Sequence, residues 1–181
     1  MHNTTKRLTE SAIMVALATV LSMVQIVKLQ NGGSVTAASM VPIIFIALRN
    51  GTSWGLLTSV VYAGMQMLIG FYPPPTPNFI SFAAVVMLDY VIAFGGLGLA
   101  PLFAKLFGKK KVLGAAVATA CVCVLRFVAH YLSGLIIWGS GDPSVPAWLF
   151  SLTYNGSYML PETIISVIVV SLLVKYVKIP E

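Results

Sequence analysis

Asp89, Arg126, His130 and Glu162 lie inside long apolar stretches of this 181-residue chain. Ionisable side chains in a hydrocarbon setting are costly, so they face the interior of a helix bundle and mark a ligand or ion path. Two carboxylates against one fixed cation leave that interior with a spare negative charge, which suits a small polar ligand and a cation in particular. Arg126 and His130 are four residues apart, so a helix stacks them on one face, one turn from each other. Arg126 reads as the partner of a carboxylate. Glu162 is the simplest partner and would leave Asp89 free, although the reverse pairing is equally drawable. Asp89 is therefore the foremost candidate for ligand contact, with His130 beside it.

Other chemistries are poorly served. His130 with Ser133 or Ser151 suggests a base and a nucleophile, but no third orienting group or oxyanion donor set accompanies them, so the chain does not read as an enzyme. Cys121 and Cys123 are two apart in an apolar helix and point to different faces, which argues against a disulfide or a zinc site. No Gly-x-x-x-x-Gly-Lys-Ser/Thr sequence occurs, so any ATP hydrolysis must come from partners. No metal or cofactor is expected. Net charge +6 could suit nucleic acid, but the basic residues cluster at the ends of apolar segments, as membrane topology requires.

Composition defines the elements that must hold these groups. With 58% hydrophobic and 9% charged residues and a mean hydropathy of +0.93, the chain reads as an all-α integral membrane protein. Six apolar segments, at about 8–27, 35–48, 54–71, 80–103, 112–138 and 157–177, predict a six-transmembrane-helix bundle forming one domain over 1–181. The second is short, hence tilted, partly re-entrant or extended into the preceding turn. The first lacks a small-x-small cleavage site and reads as a retained helix. Between the segments lie Gly- and Pro-bearing turns, among them Gln30-Asn31-Gly32-Gly33 and Tyr72-Pro73-Pro74-Pro75-Thr76-Pro77-Asn78. Lys6, Arg7, Arg49, Lys105, Lys109, Lys110, Lys111, Lys175 and Lys178 fall on one side and only Lys28 on the other, which predicts an N-in, C-in orientation. No internal repeat suggests an autonomous transporter.

Helical rise then gives depth. Asp89 lies about 15 Å below the outer start of the fourth segment and Arg126 about 18 Å below the outer end of the fifth. Asn155 begins the sixth segment or precedes it by a turn, and Glu162 sits two turns further in. Tyr72, Phe79, Tyr90, Trp138, Trp148, Phe150, Tyr154 and Tyr158 lie at or above the same level. Apolar walls with a few convergent polar groups suit a small molecule. Interfacial Trp and Tyr also form membrane belts, the plain reading for Trp148 and Tyr72, and Asn155 could merely cap its helix.

At these residues the chain resembles a known family, the thiamine-specific substrate-binding (S) components of energy-coupling factor (ECF) vitamin transporters. The matching stretches are Gln30-Asn31-Gly32-Gly33-Ser34-Val35, Val41-Pro42-Ile43, Leu88-Asp89-Tyr90-Val91, the run from Leu125 to Gly134 (LRFVAHYLSG), and Ser151-Leu152-Thr153-Tyr154-Asn155-Gly156-Ser157-Tyr158. The resemblance implies capture of thiamine at the outer side of a bacterial plasma membrane by a multi-pass protein. Delivery then uses a transmembrane coupling protein and two ATPase subunits. It implies ligand contacts from Asp89, Tyr90, His130, Trp138 and Asn155, with Phe150, Tyr154 and Phe79 as further aromatic walls. Arg126 and Glu162 would supply ion-pair support.

Some members carry Glu where Asp89 stands, Phe150 takes an aromatic place that others fill with Tyr, and a tryptophan of some members falls near Gly33. The thiazolium cation of thiamine matches a buried carboxylate, and an indole face such as that of Trp138 attracts a cation by about 0.5–2 kcal/mol. The family docks its coupling protein on a small-residue face of helix one, where this chain has Ala12 and Ala16. Capture of another vitamin or of a thiamine precursor is the alternative, as is an autonomous small transporter.

Overall fold

The computed structural model describes residues 2–177, with side chains from Thr4 onward; Lys178, used above for orientation, lies outside the described residues. The helices are α1 (His2–Met23), α2 (Val41–Asn50), α3 (Thr52–Gly70), α4 (Phe79–Phe107), α5 (Lys111–Trp138) and α6 (Ala147–Tyr176). Of these, α4, α5 and α6 are long and apolar enough to cross a membrane by length and composition.

The first two segments differ most from expectation. Helix α1 stops at Met23, and Gln25–Lys28 (β1) instead pairs antiparallel with Ser34–Thr36 (β2), Val27 opposite Val35 and Lys28 opposite Ser34. Asn31 (φ 62°) and Gly32 (φ 88°) close this hairpin, since Asn and Gly are the residues that adopt left-handed backbone at least cost. The residues expected to start the second helix at 35 are thus strand and turn. Ala38, at φ 62°, takes the chain round the corner into α2. With ten residues α2 is about 15 Å long, half the thickness of a hydrocarbon core. Its residues from Val41 to Ala47 are all buried, as a helix apolar all round must be.

The last helix differs in the other direction. It begins at Ala147, ten residues before the expected 157, because its polar run is helix-compatible. Thr153 Oγ1 donates back to Leu149 O (2.8 Å), Asn155 Nδ2 to Ser151 O (2.9 Å) and Ser157 Oγ to Tyr154 O (2.7 Å). Asn155 is therefore two turns inside α6 and does not cap it.

Two wide turns interrupt the long helices. Residues Val86–Ile92 in α4 and Gly134–Trp138 in α5 are π-helical, and Gly139 N–H reaches Gly134 O, five residues back, at 3.0 Å. Single π turns inside helices occur often at functional sites, and these two carry Asp89, Tyr90 and Trp138.

Helices α3 and α4 meet at a glycine pair. A Cβ on Gly98 would lie 2.5 Å from Gly55 C and Leu56 N, and one on Gly55 would lie 2.6 Å from Ala47 Cβ. Backbone blocks both positions. Gly98→Ala is expected to destabilise the fold by about 1–3 kcal/mol through overpacking. The check is thermal unfolding in detergent, with Gly70→Ala, which has open space, as the neutral control.

The basic residues gather at one end of the bundle. Arg49, ending α2, pairs with Glu10 of α1 (3.3 Å), while Lys105 and Lys109 to Lys111 sit where α4 turns into α5. The hairpin, the end of α5 and the start of α6 meet at the opposite end.

Candidate ligand-binding site

At that opposite end a cavity of about 960 Å³ opens among the hairpin, α4, α5 and α6. The wide turn of α4 carries Asp89 to its wall, and three donors from α5 converge on this carboxylate. His130 Nδ1 lies 2.9 Å from Oδ1, Ser133 Oγ donates to Oδ2 at 2.5 Å, and Trp138 Nε1 lies 3.4 Å from Oδ2 and 3.1 Å from Ser133 Oγ. Asp89 and His130 keep 15% and 12% of their side-chain surface accessible, so both can be reached from the cavity. Ser133 is a participant the sequence had offered only as an implausible nucleophile. Its signal was there, three residues from His130 on the same helix face.

Arg126 corrects the expected ion pair. Among the described residues it pairs with neither carboxylate. Its Nε donates to His130 Nε2 at 3.3 Å, and its guanidinium lies 4.3 Å above the Phe94 ring. Burial against an aromatic face, with the imidazole intervening, keeps it from Asp89. Glu162 is 1% exposed and belongs to another contact, since its Oε1 accepts from both the backbone N–H and the hydroxyl of Thr36, the latter at 2.6 Å. It ties α6 to the root of the hairpin.

The tip of the hairpin is tied to α6 as well. Tyr154 hydroxyl accepts from Gly33 N–H (2.8 Å) and donates to Gln30 O. A Cβ on Gly33 would lie 2.7 Å from that hydroxyl and 2.9 Å from the Tyr158 ring, so the wall here is built by tyrosines and no larger side chain fits at 33. Phe150 stacks on Tyr154 with centroids 5.8 Å apart, and both line the cavity.

Asn155 also lines the cavity, but its amide is heavily used. Nδ2 reaches Ser151 Oγ (3.1 Å) and His130 O (3.4 Å), and Oδ1 accepts from Tyr158 (2.8 Å). Close approach of α5 and α6 requires Gly134, where a Cβ would sit 2.2 Å from Ser151 Oγ.

The mouth is aromatic. Tyr72 packs against Trp138 at 5.4 Å, and Tyr90 hydroxyl accepts from Tyr72 N–H and donates to Gly70 O, each at 3.0 Å. Tyr90 thus fixes the start of the proline-rich loop. Phe79 is a correction: it is 83% exposed and does not line the cavity. Asn78 caps α4 at this level through Ser81 N–H, and Phe82, not Phe79, packs inward on Phe71. Ala12 and Ala16 are exposed on α1, far from this site. Beside the mouth, the loop Asp142 accepts from Ser144 N–H (2.8 Å) and hydroxyl (2.7 Å), which holds its carboxyl below the usual range. That turn is secured at neutral pH and is released as pH falls through the lowered value.

The arrangement can receive a flat cation: one carboxylate held by three donors, with rings on several sides. A family model described as thiamine transporter protein (Thia_YuaJ) matches residues 8–179. The chain is 35% identical over 178 residues to thiamine transporter ThiT of Bacillus subtilis (strain 168), covering 92% of this chain and 89% of the relative. It is 25% identical over 148 residues to thiamine transporter ThiT of Lacticaseibacillus paracasei, covering 74% and 70%. A solved structure of ThiT from Listeria monocytogenes superposes with a TM-score of 0.78 at 25% identity, covering 97% of this chain and 96% of that one.

Proposed function

The chain belongs to the thiamine transporter protein family, and on that premise we propose that it is the thiamine-capturing S component of an ECF-type importer. In this reading all six helices form one domain in a bacterial plasma membrane, with both termini on the cytoplasmic side and the cavity facing out. The observation that carries it is Asp89, reachable from an aromatic cavity and unpaired with the buried guanidinium. An organic cation entering such a site loses water, and a fixed carboxylate offsets that cost. Trp138 and Tyr72 offer ring faces to the cation, Asn155 Oδ1 keeps a second lone pair for the amino edge of an aminopyrimidine, and His130, with both ring nitrogens engaged, orients Asp89.

Tyr72 and the proline-rich loop cover the mouth once thiamine is in. The loaded protein then engages a transmembrane coupling protein through the Ala12 and Ala16 face of α1, and two ATPase subunits energise release. Small residues permit that close helix approach.

Equilibrium titration of the purified protein tests the first half. Thiamine is expected to bind one to one with Kd below about 1 μM, which corresponds to about −8 kcal/mol. Tighter binding of a precursor or another vitamin would overturn the assignment. Reconstitution tests the second half: liposomes holding this chain alone are expected not to accumulate thiamine. Accumulation without ATPases would mean an autonomous transporter.

A further inference from the structure

We propose that Arg126 is a positioning residue that acts through His130, holding the imidazole in one neutral tautomer so that its Nδ1–H always points at Asp89. The inference deepens the proposed capture of a cation and rests on it for its purpose, although not for its geometry.

The hydrogen-bond directions leave a single solution. Arg126 Nε is a donor in every state, because a guanidinium has no acceptor. At 3.3 Å from His130 Nε2, it requires that nitrogen to present its lone pair. A neutral imidazole carries one proton, so it must then sit on Nδ1, where it meets Asp89 Oδ1 at 2.9 Å. The other tautomer would set N–H against N–H on one side and a lone pair against a carboxylate on the other. An imidazolium would place two cations in contact inside the bundle. Ser133 and Trp138 complete the shell on Asp89 Oδ2, so the imidazole is the one partner of this carboxylate that can gain a proton.

Consider every charged or titratable group facing His130. From α4 come Asp89 and its neighbour Tyr90. Arg126 lies on α5 itself. From α6 comes Tyr158, with ring centroids 6.2 Å apart, and Glu162 lies one turn below Tyr158. Phe94 closes another side edge-on at 6.3 Å. Of these, Arg126 is the group that discriminates between the two imidazole nitrogens.

The consequence concerns the ligand. A protonated His130 would neutralise Asp89 from within and compete with an incoming organic cation. By occupying Nε2, Arg126 keeps the carboxylate available to ligand over the pH range in which a free histidine titrates. Without it, His130 is free to protonate on Nε2. The carboxylate at Nδ1 then favours the imidazolium against the burial that opposes it, and affinity falls toward the acid end.

Two measurements test this. The first is nitrogen-15 NMR of histidine-labelled protein without thiamine, in a His2→Gln background so that His130 alone is seen. The neutral Nδ1–H tautomer is expected at pH 6 and at pH 8; an Nε2–H tautomer or an imidazolium at pH 6 would overturn the proposal. This readout uses no thiamine, so it stands or falls separately from the transport reading. The second is thiamine titration from pH 5.5 to 8.5. The intact protein and Arg126→Lys are expected to stay within about threefold, and Arg126→Met to lose more than that at the acid end. Adding His130→Gln to Arg126→Met is expected to flatten the profile again. A flat profile in a folded Arg126→Met protein would also overturn the proposal.

Discussion

Asp89→Asn is expected to weaken thiamine binding by at least thirtyfold while leaving thermal stability nearly unchanged. The substitution preserves shape and removes one charge. Truncating one partner of a buried hydrogen-bonded charge pair costs about 2–5 kcal/mol, and about 2 kcal/mol corresponds to thirtyfold. The free protein tolerates the change because His130 can donate to the amide oxygen in place of Oδ1, while Ser133 Oγ turns to accept from the amide N–H that replaces Oδ2 and still accepts from Trp138 Nε1. Asp89→Glu keeps the charge, lengthens the arm by one methylene and is expected to retain most of the affinity. Titration calorimetry on the three proteins, with melting curves beside it, separates charge from shape. Equal affinity in the Asn variant would mean that the cation meets rings alone.

Depth in the bundle was legible from residue counting, and rotation about each helix was not. The level of Asp89, His130, Trp138 and Tyr154 follows from rise per residue along helices whose ends are marked by Gly and Pro. Phe79 shares that level but faces away, because a helix apolar on all sides carries no pattern to say which side turns inward. The same ambiguity hid the partner of Arg126. Spacing showed that it stacks with His130, but not that the imidazole would stand between it and Asp89.

Local chemistry misled in two further places. Gln25 to Thr36 looks like helix ends because Ile26, Val27 and Val35 extend the apolar runs, and β-branched residues suit a strand equally well. Residues 147–156 looked like loop because Ser, Thr and Asn favour turns, yet their side chains can bond back to the preceding turn of a helix. The hairpin itself had a readable mark in Asn31-Gly32, the pair most tolerant of left-handed backbone.

Glu162→Ala is expected to do the opposite of Asp89→Asn: to unfold the protein sooner, with little direct effect on the affinity of what remains folded. Glu162 Oε1 is the acceptor for Thr36 N–H and shares Thr36 Oγ1 with Ser39, and all three side chains are buried, Thr36 and Ser39 at the wall of the cavity and Glu162 behind them. Removing it strands a buried backbone donor, at about 1–3 kcal/mol, and empties a side-chain volume that α2 and α6 cannot easily close. A loss of 1 kcal/mol in a domain of this size lowers Tm by about 2–4 °C, so a fall of several degrees or more is expected. Glu162→Gln keeps an oxygen for Thr36 and is expected to recover most of that stability and to bind thiamine within about threefold of the parent. The two buried carboxylates thus divide their work by partner, one facing a cavity and one facing backbone. A Gln variant that folds normally but no longer binds would place Glu162 with the ligand and would break that division.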